Sequence, residues 1–250
     1  MRDSSPRRSS GTPVGYVVFE HRGQGRDPIA QARLAAITVQ MNPSPHRPAA
    51  GVRPRCARCD LPLATCVCAL VERVDNRIDV LVLQHPLEVR EAKGSARLLG
   101  LCLARCRVVV GETFDPVELG ALLHSDACRS VLLYPGESGG NVRAHVDGAA
   151  TQLVVLDGTW RKSLKMLMSN PLLQALPRLA LTPASAGRYG ALRKARLATQ
   201  LSTLEATCSA LALLDDDAAR YAPVLRAFER FVDDRAGRSS SAATTSGVAQ

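Results

Sequence analysis

The stretch LVVLDGTWRKSLKML, residues 153–167, governs how this chain can fold. An apolar run, Leu153 to Leu156, stops at Asp157-Gly158-Thr159-Trp160 and passes straight into a basic segment with helical spacing. A short apolar run bounded by a polar turn reads as a strand buried on both faces. Trp160 is the only tryptophan in the chain. A carboxylate, a glycine, a hydroxyl and the one indole therefore follow one another at the carboxyl end of a buried strand. In open parallel sheets that is where ligands collect.

Working outward, the same alternation recurs. IDVLVL (78–83), CRVVV (106–110), SVLLYP (130–135), QLVVLDG (152–158) and RLALT (178–182) read as buried parallel strands. The segments EAKGSARLLGLCL, DPVELGALLHS and TWRKSLKMLMSN read as helices between them, and LSTLEATCSALALL and APVLRAFERFV as two more that close the chain. The pattern predicts an α/β fold with a mostly parallel sheet flanked by helices. A chain of 250 residues holds one substantial core and a small accessory module. Residues 1–52 are expected to form a poorly ordered extension, with Met41 a candidate alternative start. Residues 236–250, GRSSSAATTSGVAQ from Gly237 on, are expected to be a disordered tail. No apolar stretch approaches the roughly 20 residues of a membrane span, so no membrane partner is expected. The N-terminus has no apolar signal region, so a reducing cytoplasmic setting is expected.

RCARCDLPLATCVCAL carries Cys56, Cys59, Cys66 and Cys68. Four thiolates this close meet the tetrahedral demand of Zn²⁺ without help from the rest of the chain. A closed set of four leaves no open position, which makes a structural zinc module over residues 53–70 the expectation. Cys102, Cys106, Cys128 and Cys208 lack such spacing and read as small core residues. The formal charge is +9, and only four of the 32 basic residues are lysines. Arginine forks suit phosphates, so a polyanionic partner is indicated. A genome that writes Arg freely gives the same total.

Several chemistries fit the Asp-Gly-Thr-Trp turn less well. A haloacid-dehalogenase nucleophile belongs two residues before Asp157, where Val155 stands. No G-x-G-x-x-G opens a helix, so a Rossmann nucleotide site lacks its phosphate loop. Asp157 as a plain helix N-cap stays open.

The succession QHPLEVREAKGSARLL (84–99), LLYPG (132–136), LDGTWRKSLKML (156–167), RYGALRKA (188–195) and QLSTLEA (200–206), with the cysteine segment ahead of it, resembles the DTW domain family over about residues 53–233. The resemblance implies a tRNA-uridine aminocarboxypropyltransferase that uses S-adenosylmethionine, a catalytic domain over 71–235, and a SPOUT-like, knotted arrangement of the sheet. It implies catalytic roles for Asp157, Thr159 and Trp160, with Asp157 as base or as electrostatic partner of the cofactor, and Trp160 as a stacking face. It implies cofactor contacts from Leu133, Tyr134, Pro135, Gly136, Leu201, Ser202, Thr203 and Glu205. Glu205 also has the S-x-x-E spacing of a capping box with Ser202. His85, Glu88, Arg97, Arg161, Lys162, Lys165, Arg193 and Lys194 become candidates for contact with tRNA, the expected partner in place of DNA. A SPOUT-like methyltransferase and a non-catalytic zinc-bearing RNA-binding protein are the alternatives.

Overall fold

The computed structural model describes residues 54–91, 94–123, 129–135, 151–181 and 201–245. The elements are β1 (Asp79–Gln84), α1 (Ala96–Cys102), β2 (Cys106–Val110), α2 (Pro116–Leu123), β3 (Arg129–Leu133), β4 (Thr151–Asp157), α3 (Trp160–Ser169), α4 (Pro171–Gln174), β5 (Arg178–Leu179), α5 (Thr203–Asp215) and α6 (Ala222–Thr245). The five strands form one sheet in the order β2-β1-β4-β3-β5, and every pair is parallel. Each apolar run read as a strand lies in this sheet.

Strand β4 is central, and all seven of its residues are buried. Helices cover both faces, so an uninterrupted apolar run is what the position requires. The two-residue side-chain period divides the sheet into two cores. Val80, Val82, Leu153 and Val155 face a cluster completed by Leu98, Leu99, Leu204, Leu211, Tyr221 and Phe231, from α1, α5, the turn before α6, and α6. Leu81, Leu83, Val154 and Leu156 face Leu119, Met166, Leu167 and Leu173, from α2, α3 and α4.

The structure modifies the expectations in four places. The cysteine segment has no core of its own: Cys59, Val67 and Leu70 join the α1/α5/α6 cluster. Strand β5 pairs over only two residues, Arg178 and Leu179, at the edge of the sheet. Helix α4 was not foreseen; Pro171 opens it, at a first-turn position where a missing N–H costs nothing. Helix α6 continues to Thr245, into the segment expected as a tail from residue 236. Extending a helix that packing has already nucleated costs little, because each added residue gains a backbone hydrogen bond without the cost of a new nucleus. Residues 1–53 lie outside the described residues, so the expected extension is not addressed.

One buried side chain ties the helix after β4 to the loop after β2. Asn170 Oδ1 accepts from the Phe114 amide at 2.9 Å, while Nδ2 donates to Glu112 O at 2.9 Å and Met166 O at 2.6 Å. Asn170 is 2 % exposed, so water cannot replace those partners. Asn170→Ala is expected to lower the unfolding free energy by about 2–4 kcal/mol, because it strands buried backbone groups. Urea unfolding with an unchanged m-value checks this.

Candidate active site

The two central strands end level with each other: Gln84 of β1 and Asp157 of β4 are register partners. Gln84 Nε2 donates to Asp157 Oδ2 at 2.9 Å, and the His85 amide donates to the Asp157 carbonyl at 2.9 Å. By strand alternation both side chains turn to the face covered by α5. There Thr203, the first residue of α5, also hydrogen-bonds the Asp157 carboxyl. Asp157 is 5 % exposed. Burial pushes its pKa above the usual aspartate range, partly opposed by the bonds from Thr203 and Gln84, and the nearby Glu88 charge adds to the rise. Among the described residues no Lys or Arg pairs with it. Asp157 is not the cap of α3 either; Thr159 holds that position, exposed and without a side-chain cap bond.

Ser202 and Glu205 form a full capping box at the start of α5. The Ser202 amide and hydroxyl donate to Glu205 Oε2 at 2.8 and 2.7 Å, and the Glu205 amide donates back to Ser202 Oγ at 3.2 Å. Of the two roles open to Glu205, capping is the one its bonds display. Leu201 beside it is half-buried.

The other side of the carboxyl edge is aromatic. Tyr134, just beyond β3, stacks on Trp160 with ring centroids 5.3 Å apart and planes 15° apart. The Arg178 guanidinium lies 5.5 Å from the centre of the Tyr134 ring. Trp160 is 62 % exposed, which removes the possibility of a core tryptophan. Tyr134 is buried, and its hydroxyl has no hydrogen-bond partner among the described residues. Leu133 is half-buried and Pro135 exposed, while Gly136 lies outside the described residues. Gly158 joins the two sides: a Cβ there would stand 3.1 Å from Lys162 Cβ, so a bare backbone lets α3 begin this close to β4.

Among the described residues, most of the expected cationic side chains have protein partners. Lys162 Nζ meets Glu88 Oε1 at 2.8 Å, and Lys165 Nζ meets Glu112 Oε1 at 2.8 Å. His85 is buried; its Nδ1 accepts from the Leu87 amide at 3.1 Å, which leaves Nε2 as the donor to Glu112 Oε2 at 2.8 Å. Lys165 and His85 together hold the Glu112 carboxyl below its usual range. Arg97 donates to Cys59 O at 2.5 Å and Val89 O at 3.4 Å, clasping the cysteine segment to α1. Arg161 is exposed. Arg193 and Lys194 lie outside the described residues. Gln84, Glu112 and Arg178 were not singled out in the sequence. Only Gln84 carried a signal, a polar residue closing an apolar strand.

The sulfurs of Cys56, Cys59, Cys66 and Cys68 lie within 4.8 Å of one another, with Cys56–Cys68 at 3.7 Å and Cys59–Cys66 at 3.6 Å. Four ligands about 2.3 Å from a tetrahedral zinc stand about 3.8 Å apart, so the cluster fits a metal ion of that kind. The backbone N–H groups of Cys59 and Arg58 lower the Cys56 thiol to about 6, favouring the thiolate a metal needs.

The DTW domain profile matches residues 53–236, which takes in the cysteine cluster and every described strand. The chain belongs to the DTW domain family. A curated relative, tRNA-uridine aminocarboxypropyltransferase 2 of Drosophila melanogaster, is 29% identical over 173 residues, covering 65% of this chain and 67% of the relative. No solved structure matches the chain.

In this DTW domain Asp157 is a stability liability when ionised. Its folded pKa lies above its unfolded one, so between those values the native state holds more protons and stability falls as pH rises. Asp157→Asn is therefore expected to match or exceed the wild type in stability at pH 7. The advantage should vanish as pH falls to the ordinary aspartate pKa of about 3.9. Thermal unfolding of both proteins across that range checks it.

Proposed function

We propose that this DTW protein transfers the 3-amino-3-carboxypropyl group of S-adenosylmethionine to N3 of a uridine in tRNA, releasing methylthioadenosine. The single observation that carries the reading is Asp157: a buried carboxyl at the mouth of the sheet, bonded by Gln84 and Thr203 and lacking a cationic partner among the described residues. Such a group fits a ligand that brings its own positive charge, as a sulfonium does. The name of the Drosophila relative and the +9 charge support tRNA as the acceptor.

The sulfonium supplies an activated Cγ on the amino-acid side. Orientation is the task left to the protein, because the methyl carbon on the same sulfur is activated too. Thr203 and Ser202, at the positive end of α5, bind the nucleoside or carboxylate portion of the cofactor, with Leu133, Tyr134, Pro135 and Leu201 as walls. Trp160 presents its exposed face to the uracil ring. Uridine N3 is a poor nucleophile until it loses its proton. Asp157 accepts that proton as the N3–Cγ bond forms and the S–Cγ bond breaks, its electron pair leaving on the neutral sulfur. A carboxyl whose pKa is raised by burial is a better proton acceptor than an ordinary aspartate. The SPOUT-like cofactor cradle, the cytoplasmic setting and the RNA contacts of Arg161, Arg193 and Lys194 complete the proposal.

Zinc is the metal we assign to the four cysteines, with a structural role. Cys59, Val67 and Leu70 belong to the main core, so the metal stabilises the whole domain and not a detached module. Elemental analysis should find one zinc per chain. Chelation or Cys59→Ser should lower the melting temperature of the domain in a single transition. A separate early transition, with the main one unmoved, would contradict this.

Nucleoside mass spectrometry tests the reaction directly: tRNA is incubated with S-adenosylmethionine and either wild type or Asp157→Asn. The expected product is a uridine heavier by one aminocarboxypropyl group. The variant should be slower by about 100-fold or more at saturating S-adenosylmethionine while still binding tRNA. A methylated nucleoside would instead assign the protein to methyl transfer, and absence of any product with RNA bound would make it a binding protein.

A further inference from the structure

Helix α3 carries apolar side chains beyond the face it buries. Met166, Leu167 and Ser163 face the sheet, as an amphipathic surface helix requires. Trp160, Leu164 and Met168 face outward, 62, 43 and 62 % exposed. They stand at i, i+4 and i+8, so they line up in one stripe about 12 Å long by the helix rise. Single exposed apolar residues are ordinary, but three in register, starting at the motif tryptophan, form a surface. Arg161 and Lys165 run alongside, each one residue further round the helix. Lys165 pairs with Glu112 yet is 64 % exposed, and Arg161 is exposed with no ion pair among the described residues.

We infer that this outward face of α3 is a track for unpaired nucleotides of the RNA that flank the reacting uridine. The inference rests on the proposed tRNA reaction and specifies the form in which the substrate is held. Apolar and aromatic side chains interleaved with cations suit splayed, single-stranded bases and their phosphates, whereas paired RNA is read through its grooves by polar and basic contacts. The track starts from a preformed platform for the reacting uracil: Trp160 is braced from beneath by Tyr134 at 5.3 Å, and Leu164 and Met168 continue the surface for the nucleotides beside it. The stripe is continuous with the Asp157 turn through Gly158 and Thr159. Its exposed area, on the order of a few hundred Å², falls well short of the roughly 800 Å² per partner of a stable protein interface. A chain with a +9 surplus also repels a second copy of itself.

The test is the double variant Leu164→Gln/Met168→Gln in the full chain, with the oxidation rate of Met168 in the wild type as a readout besides activity. The track predicts a KM for tRNA raised about tenfold, kcat within twofold and an unchanged melting temperature. Peroxide oxidation of Met168 should slow when a single-stranded uridine-containing oligonucleotide is added, and should not slow with the same sequence as a duplex. Unchanged KM and unprotected Met168, in a protein whose wild type modifies tRNA, would overturn the track and leave the reaction standing. Protection by duplex alone would also overturn it, as would a dimer that the substitutions convert to monomer. A wild type that neither binds nor modifies RNA would remove both this inference and the reaction.

Discussion

The site depends on the way two parallel strands finish together. Gln84 and Asp157 are register partners at the carboxyl ends of β1 and β4, and one hydrogen bond at 2.9 Å joins their side chains. A strand sends alternate side chains to opposite faces. The pair therefore turns toward α5, while His85 and Tyr134, each the next residue of opposite parity on its strand, turn toward α3 and the loop after β2. A motif that reads as one cluster along the chain is thereby divided across the edge of the sheet. Asp157 stands with Gln84 and Thr203, and Trp160 stands with Tyr134. A ligand that engages both must lie over the edge itself, where Gly158 keeps the backbone low.

The same alternation gives α3 two tasks. Its inner face closes the core with Met166 and Leu167, and its lysines reach back to the acidic loops after β1 and β2. Glu88 and Glu112 hold these lysines, and Asn170 anchors the Glu112 loop at the far end of the helix. The helix that carries Trp160 is thus fixed at several points by partly buried bonds. Preorganisation of this kind is what a positioning site needs, since the chemistry proposed for it is mainly alignment.

The cysteine cluster belongs to this arrangement as well. Arg97 on α1 donates to the Cys59 carbonyl, and Cys59 itself sits in the core shared with α5 and α6. A metal there would brace the helix face against which Asp157 is buried. Its effect on the reaction would pass through packing, since four thiolates leave no coordination position for a substrate.

By itself the sequence determined the parallel α/β class, the five strands, the cysteine site and the family, because each rests on local pattern: buried apolar runs, helical spacing, close thiols and ordered motifs. It also supplied both roles for Glu205 without deciding between them, and it read Lys162, Lys165 and Arg97 as cations available to RNA. Only the tertiary structure decided what these side chains touch. Capping bonds hold Glu205, Glu88 and Glu112 pair with Lys162 and Lys165, and the Cys59 carbonyl accepts from Arg97, while Lys165 keeps 64 % of its side chain exposed. Gln84, Tyr134 and Arg178 acquire their neighbours from strand order and register, which bring together residues scores of positions apart. The merging of the cysteine segment with the core has the same origin. It depends on which surfaces meet, and a chain does not carry that information in its local spacing.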